Sequence, residues 1–546
     1  MSEVLKQPKI ISATTTMDAR QAEAQPDAEV TSWHSYLPAL LSIIGAILMV
    51  LLRIEMGGAR FISDGALMML ALACYLMAAT FHLTNLYAPS RMAQKLGLWL
   101  ASFGVFFNFA SWGVRWINAH DRELQILIRN GYGADQMPWF FRYIPFSNLY
   151  DLSLAFAFGA GLTTLLIAHR KSFRFLGAFT LPLASLILVL ARFIGDELTN
   201  LQPILDSYWR PIHVGCASLS YGVALVCFAV AVIYLLKDGV KTEAMAVWSS
   251  IFSLSVIGTI SRFSVLTTGI YSASTFFPVE DGRRQIPLRV DLPYVGPVLV
   301  IASILLVAVI IAFGIYLAKN DGRARLWGHR FLRLALVAQT CAVVLLISQV
   351  KTLTNIVAHI NPNQYEQFGR WIAEQQGATK EQIALAAPFQ LVGLSEQFVR
   401  ESGAKLFLSL NANPVELAAL ITALAGTLFV ILFSFRTERL RAALPDLDKL
   451  DSLMYKTASV TFALLAMLLI TGAVWANESW GRYWGWDSKE TGALVAWLTY
   501  AAFLHSRISR GWTGRRSAYF ALVGFLFIIF TYLGVSYLLP GLHSYA

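Results

Sequence analysis

Long runs of apolar residues, separated by short polar stretches, recur along almost the whole chain. A run of about 20 apolar residues can cross the hydrocarbon core of a bilayer, which is about 30 Å thick. The pattern predicts an all-α, polytopic integral membrane helical bundle of about thirteen transmembrane helices. These spans are expected near residues 36–53, 64–87, 96–117, 149–168, 174–192, 212–236, 247–269, 294–318, 331–357, 414–435, 453–474, 490–506 and 517–538.

The composition agrees with this pattern, because 56% of the 546 residues are hydrophobic and only 14% are charged. Soluble globular chains carry about 25% charged residues, so the composition excludes a water-soluble fold. The excess of Lys and Arg behind the net charge of +10 clusters in every second short loop, so that these loops all fall on the same side of the predicted spans. The positive-inside rule explains these loops without nucleic acid and places them in the cytoplasm, with the C-terminus outside.

Two polar segments are expected to lie outside the bundle. Residues 1–31 have no apolar core of a signal peptide, which indicates a disordered cytoplasmic tail. Residues 358–413 are polar and helix-patterned, and Thr379 to Gln382 fit a capping box that opens a helix. These residues therefore predict a small helical unit on the outer side. The four cysteines are isolated, and their spacing predicts neither a disulfide framework nor a zinc site.

Tryptophan is concentrated near the outer end of the eleventh predicted span. Four of the fifteen Trp residues fall within twelve positions, at Trp475, Trp480, Trp484 and Trp486. An interfacial belt would spread its Trp residues over many spans, whereas indole faces grouped together can stack a large planar ligand. Both explanations stay open, and the density of Trp favours the ligand platform. Asp487 and Glu490 are expected to cap the span that follows.

Three histidines occupy informative positions relative to these Trp residues. His213 begins a span at its outer end, and His543 follows the last span, so both could flank the Trp cluster. Two facing imidazoles are a common way to hold haem iron. His505 follows Glu490 by 15 residues, which puts it about 22 Å deeper along a helix. It is either a ligand in the inner leaflet or an interfacial residue.

The run from Trp480 to Glu490 resembles the WWD signature of proteins that handle haem during cytochrome c maturation. The likeness is strongest to the CcsA (ResC) family of the system II pathway and extends over about residues 448–546. A second block at residues 201–222 and a shorter one at 147–151 also match this family. The chain departs from the family pattern at Ser488, where Pro is usual, and at Gly492, where Trp is usual.

The resemblance implies that haem b is bound, with His213 and His543 as the axial ligands of the iron. It implies that the Trp-rich loop that carries this signature, including Asp487, holds haem while the thiols of an apocytochrome c CxxCH motif attack it. His505 would receive haem on the inner side, and His82 is the one other intramembrane candidate in this chain. The implied function is haem delivery across the membrane and covalent haem attachment, as a cytochrome c haem lyase (synthase) component.

The resemblance also implies partners and a location. The expected partners are apocytochrome c, a CcsB (ResB)-like membrane protein, thiol-reducing thioredoxin-like proteins and the lipid bilayer. The expected location is the bacterial inner membrane, with the Trp loop and the C-terminus on the periplasmic side. The expected parts of the chain are the tail 1–31, extra helices in 32–117, a CcsA-like part in 118–240, an insertion in 241–445 and a CcsA-like core in 446–546. The insertion is either a packing elaboration or a substitute for the partner.

Two other functions are compatible with parts of the pattern. A membrane haem-b electron-transfer subunit would need pairs of histidines facing each other at both membrane depths. A transporter of a non-haem amphiphile could use the Trp surface without His213 or His543. Arg482 and Lys489 lie beside the Trp residues, where they could contact haem propionates or act as interfacial residues with their charges in water.

Overall fold

The computed structural model describes residues 33–56, 62–133, 140–195, 198, 203–205, 207–279 and 282–535. In these residues the chain forms eighteen α-helices and one small antiparallel sheet. Eleven of the described helical segments are long and apolar enough to cross a membrane. The prediction of an all-α, polytopic membrane protein is therefore confirmed. The expected tail at 1–31 and His543 lie outside the described residues.

The N-terminal part consists of six long helices. Ser63, Ser90 and Asn148 accept backbone hydrogen bonds with their side chains and so begin the second, third and fourth of them. The helices are α1 (Leu37–Glu55), α2 (Asp64–Tyr87), α3 (Arg91–Arg129), α4 (Leu149–Ala168), α5 (Gly177–Ile194) and α6 (Trp209–Lys237).

The middle of the chain combines long helices with a sheet-bearing unit. Its helices are α7 (Thr242–Thr259), α8 (Ser264–Thr268), α9 (Val295–Lys319), α10 (Gly322–Thr352), α11 (Tyr365–Gln375), α12 (Lys380–Leu385), α13 (Pro388–Ser402), α14 (Pro414–Ser434) and α15 (Thr437–Ala443). Its strands are β1 (Tyr271–Val279), β2 (Gly282–Leu292) and β3 (Phe407–Leu408), in the order β2-β1-β3. Thr379 and Gln382 form the expected capping box at the start of α12.

The C-terminal part completes the bundle with α16 (Leu447–Trp480), α17 (Ser488–Arg510) and α18 (Arg515–Ile529). A π-helical segment, Phe530–Gly534, follows α18 directly. We call residues 481–487, between α16 and α17, the Trp loop, and the end of the bundle that carries it the Trp-loop end. Arg507 pairs with Asp451 at the opposite, basic end, and Arg515 Nε lies 2.7 Å from Asp238 Oδ2.

Each of the thirteen predicted spans overlaps a long helix, but two of these helices are marginal. Both α7 and α17 fall outside the eleven candidate spans. The span expected over 247–269 is interrupted, because α7 ends at Thr259 and is followed by a 3-10 turn, Ile260–Phe263, and the short helix α8 before β1 begins. The sheet itself was not predicted from the sequence.

The buried side chains form two main cores. The first unites α2 to α6 with α16 to α18, and α6 packs along α16. The second joins α7, α9, α10 and α14 with the sheet and with α11 and α13. The two cores meet where α5 packs against α14. The Trp loop and the end of α18 belong to the first core, which therefore positions the candidate site.

Candidate haem-binding site

A pocket opens at the Trp-loop end of the first core. The start of α4, the first turns of α6, the last turns of α16, the first turn of α17 and the π-helical segment form its walls. Its lining is mainly aromatic and aliphatic, with a small number of polar side chains. A concave apolar surface with a few convergent polar groups is typical of a small-molecule site.

His213 lies in this pocket and is held in a defined orientation. Its Nδ1 is 2.9 Å from the backbone oxygen of Leu468 on α16. Since a carbonyl oxygen only accepts hydrogen bonds, Nδ1 donates, and the neutral imidazole carries its lone pair on Nε2. A carbonyl that fixes the tautomer in this way is a common feature of histidines that bind metal.

Three of the four predicted Trp side chains line the pocket, at Trp475, Trp480 and Trp484. The ring of Trp475 is buried, with its centroid 5.6 Å from that of His213. Its Nε1 makes no hydrogen bond to any of the described residues.

The fourth predicted Trp residue has a different environment. Trp486 is 72% exposed and lies outside the pocket lining. Its φ of 56° is unusual for a residue with a side chain, and its ring meets that of Trp484 edge to face, with centroids 5.8 Å apart. The structure therefore places Trp486 on the outer side of the loop, where it supports Trp484 from outside the pocket.

Asp487 and Glu490 fold the Trp loop onto α17. Asp487 accepts a hydrogen bond from the Lys489 backbone, and the Glu490 side chain completes a capping box. Glu490 Oε2 also accepts from the backbone nitrogens of Gly485 and Asp487, at 2.9 and 3.1 Å. The expected capping role of both carboxylates is confirmed, and Glu490 additionally lines the pocket.

The two basic residues beside the Trp cluster differ in position. Lys489, which precedes the span predicted for 490–506, lines the pocket. Burial lowers the pKa of Lys489 to about 8, and the Asp487 carboxylate opposes this shift. Arg482 instead lies against the backbone of Gly485, outside the pocket lining. Of the two, Lys489 is the one placed to contact an anionic group of a ligand.

Several pocket residues escaped the sequence analysis. Tyr532 and Thr531 come from the π-helical segment, and the Tyr532 hydroxyl lies 2.6 Å from Ser153 Oγ on α4. Arg210, three residues before His213, also lines the pocket. Short π-helical segments often occur at functional sites, but no sequence pattern predicts them.

The remaining predicted histidines lie elsewhere. His505 is exposed near the end of α17, with its Nδ1 3.4 Å from Ser509 Oγ. His82 is only 3% exposed on α2, where its ring is enclosed by Gly97 and Gly177. Neither lines the pocket. His543 is outside the described residues, so its predicted position beside His213 stays a prediction.

Two blocks of the chain that contribute residues to this pocket match a known protein family. The model of the cytochrome C assembly protein family matches residues 146–280 and 414–543. Both matched blocks contribute to the pocket walls, the first through His213 and the second through the Trp residues. Over these two blocks the chain is similar to cytochrome c assembly proteins. The interruption between the blocks, 281–413, lies inside the segment that was expected to be inserted.

Individual proteins similar to this chain also act in cytochrome c biogenesis, according to their names. The cytochrome c biogenesis protein CcsA of Prochlorococcus marinus (strain MIT 9515) is 46% identical over 144 residues, which is 26% of this chain and 46% of that protein. CcsA of Synechococcus sp. (strain CC9902) is 58% identical over 98 residues, 18% of this chain and 32% of that protein. CcsA of Guillardia theta is 56% identical over 99 residues, 18% and 33% of the two chains. This CcsA-like chain thus spans less than half the length of the relatives it matches.

Proposed function

We propose that this CcsA-like chain acts in cytochrome c biogenesis by holding haem b in the pocket at the Trp-loop end. The observation that carries the proposal is the orientation of His213, whose Nδ1 is occupied by the Leu468 carbonyl while Trp475 lies beside the ring. The similarity to cytochrome c assembly proteins supports haem as the planar ligand. In this proposal His213 Nε2 is one axial ligand of the iron, and His543 is the other.

In this proposal different pocket residues contact different parts of the haem or hold the Trp loop. The Trp475, Trp480 and Trp484 side chains provide apolar contacts for the porphyrin, and Lys489 attracts a propionate. Asp487 and Glu490 keep the Trp loop in place by capping α17. Two nitrogen ligands on the iron would protect it while the vinyl groups stay accessible to the acceptor protein.

We propose further that haem held here becomes attached to the CxxCH motif of apocytochrome c. Each thioether forms when a Cys S–H adds across a haem vinyl group, so a carbon–sulfur bond forms, the proton goes to the other vinyl carbon and nothing leaves. The chain's part is to position the reactants, a contribution that can lower a barrier substantially. In this role the chain is a haem lyase component that works with a CcsB-like partner and thiol-reducing thioredoxin-like proteins.

The direction of haem movement belongs to the same proposal. The Trp loop faces the periplasm of a bacterial inner membrane, and haem arrives from the basic, cytoplasmic end. His505 lies exposed near that end, where it could meet haem or a partner helix. His82 is the second candidate for this inner site, although Gly97 and Gly177 enclose its ring.

Absorption spectra of the full-length protein purified in detergent test the haem site. We expect the wild type to show a Soret band and reduced α and β bands, and His213→Gly to lose most of this signal. Added imidazole should restore it, because the small ligand can occupy the space of the missing side chain. His120→Gly is the control, since His120 is a half-buried histidine outside the pocket lining.

Two outcomes would overturn the proposal in different ways. Haem bound equally well by the wild type and His213→Gly would place the iron elsewhere and favour an electron-transfer subunit. Protein that neither contains haem nor binds added haem would favour a transporter of another amphiphile.

A further inference from the structure

A buried arginine of α3 lies at the centre of a polar cluster near the pocket. Arg115 is 1% exposed, and its Nε donates to Asp151 Oδ1 on α4. Its Nη1 lies 3.4 Å from Asp64 Oδ2 on α2, and its guanidinium stacks over the Tyr150 ring at 4.4 Å. Arg115 belongs to α3, and the helices α1 to α3 lie outside both blocks matched by the family model.

Asp151 connects Arg115 to the pocket wall through hydrogen bonds. While Oδ1 of Asp151 accepts from Arg115, Oδ2 accepts from the backbone nitrogen of Ser147 at 2.9 Å. Asn148 Oδ1 in turn accepts from the backbone nitrogen of Asp151 at 2.9 Å and begins α4. Residues 146–149 form one wall of the pocket, so a single carboxylate ties that wall to α3.

The same wall is connected to the helix that carries His213. Ser147 Oγ accepts a hydrogen bond from Arg210 Nη1 at 3.3 Å, and Arg210 Nη2 donates to the Arg142 carbonyl at 2.7 Å. Arg210 precedes His213 by three residues on α6, and both line the pocket. A continuous set of contacts thus runs from α3 through Asp151 and Ser147 to α6.

We propose that Arg115 is a positioning residue for the haem pocket, and that α2 and α3 complete the site through the ion pair of Arg115 with Asp151. The inference rests on the proposed haem function for its ligand, but its geometry stands on the contacts alone. Loss of Arg115 would leave the buried Asp151 carboxylate without its guanidinium, and loss of Asp151 would free the backbone of Ser147, so either change would loosen the wall at residues 146–149. Arg115 touches neither the iron nor the porphyrin in this proposal.

Hydrogen exchange measured by mass spectrometry tests the positioning directly, in the full-length protein in detergent. We expect Arg115→Gln and Asp151→Asn to speed exchange in a peptide covering 144–152 by about tenfold. Arg115→Lys, which keeps the charge, should restore part of the protection. Should a single variant fail to fold, the double variant with Gln and Asn removes both members of the Arg115–Asp151 pair together, while Asn118 Nδ2 still lies 3.4 Å from the remaining Asp64 carboxylate.

Arg53→Gln is the matched control for loss of a buried guanidinium at the same end of the bundle. Arg53 is also 1% exposed, but its hydrogen bonds go to the Ile62 carbonyl and the Asn118 side chain. We expect this variant to change exchange in 144–152 much less than Arg115→Gln does, because Asn118 and Asp64 separate Arg53 from the pair with Asp151. Unchanged exchange in Arg115→Gln and Asp151→Asn, or an equal change in Arg53→Gln, would overturn the inference.

Haem spectra separate this inference from the proposed function. With haem present in the wild type, we expect Arg115→Gln to lower bound haem per protein by about threefold or more, with partial recovery in Arg115→Lys. Unaltered haem content and band positions in Arg115→Gln would overturn the positioning role in haem binding. Absence of haem from the wild type would overturn the proposed function, whereas the exchange result would still decide whether Arg115 positions the wall.

Discussion

At the scale of single residues, the candidate site depends on how closely α6 approaches α16. His213 reaches the Leu468 carbonyl because the facing residue of α16 is Gly472. A Cβ at position 472 would lie 2.7 Å from His213 Cε1 and 2.9 Å from Nδ1. Real Cβ atoms essentially never make contacts this short, so the missing side chain is what allows the imidazole its orientation.

Gly472→Ala is therefore predicted to displace the His213 ring without removing a ligand atom. We expect a shifted Soret band or weakened haem retention in spectra of the purified variant. Gly314→Ala on α9 is the control, because a Cβ there would meet nothing within 4 Å and Ala favours a helix by about 1 kcal/mol. Identical spectra for Gly472→Ala and the wild type would show that His213 Nδ1 does not set the ligand geometry.

At the scale of elements, the junction of α17 with the π-helical segment shapes the pocket floor. The chain has Gly492 at a position where the family that it resembles usually has Trp. In the structure a Cβ at position 492 would lie 2.5 Å from Thr531 Oγ1. The glycine thus lets α17 pack closely on the segment that carries Thr531 and Tyr532, both in the pocket lining.

Gly492→Ala is predicted to destabilise the protein by about 1–3 kcal/mol through overpacking against Thr531. Adding Thr531→Ala should recover most of this loss, because it removes the closest atom, Oγ1, and leaves Cβ at 3.3 Å. Thermal unfolding followed by Trp fluorescence in detergent would measure the four proteins of this cycle. Strictly additive effects of the two substitutions would contradict the contact.

The features predicted correctly from the sequence are those that depend on residues close together in the chain. The apolar runs predicted the long helices, and the cap formed by Asp487 and Glu490 involves residues only three apart. The sheet was missed because the buried residues of β1 do not alternate strictly, although Asp281-Gly282 is a recognisable hairpin signal. The pocket walls could not be predicted, since the contact between Ser153 and Tyr532 joins residues 379 positions apart.

At the scale of the whole molecule, the two cores separate the parts of the chain that surround the pocket from the sheet-bearing unit. The N-terminal helices α2 and α3 share the first core with the pocket, and Arg115 links them to its wall. The sheet and the helices α11 and α13 belong to the second core. Because the cores meet mainly through α5 and α14, we expect the sheet-bearing unit to open without disturbing the pocket.

Phe368→Ala tests this independence from the middle of the second core. Phe368 is fully buried on α11 and stacks with Trp371 at 5.8 Å, while Phe398 meets its ring edge to face at 5.3 Å. Its truncation should cost about 3–5 kcal/mol locally and raise hydrogen exchange across residues 365–402. The haem spectrum should stay that of the wild type, since the pocket belongs to the other core. Parallel loss of haem would instead show that the middle of the chain supports the haem site, as a substitute for a partner protein would.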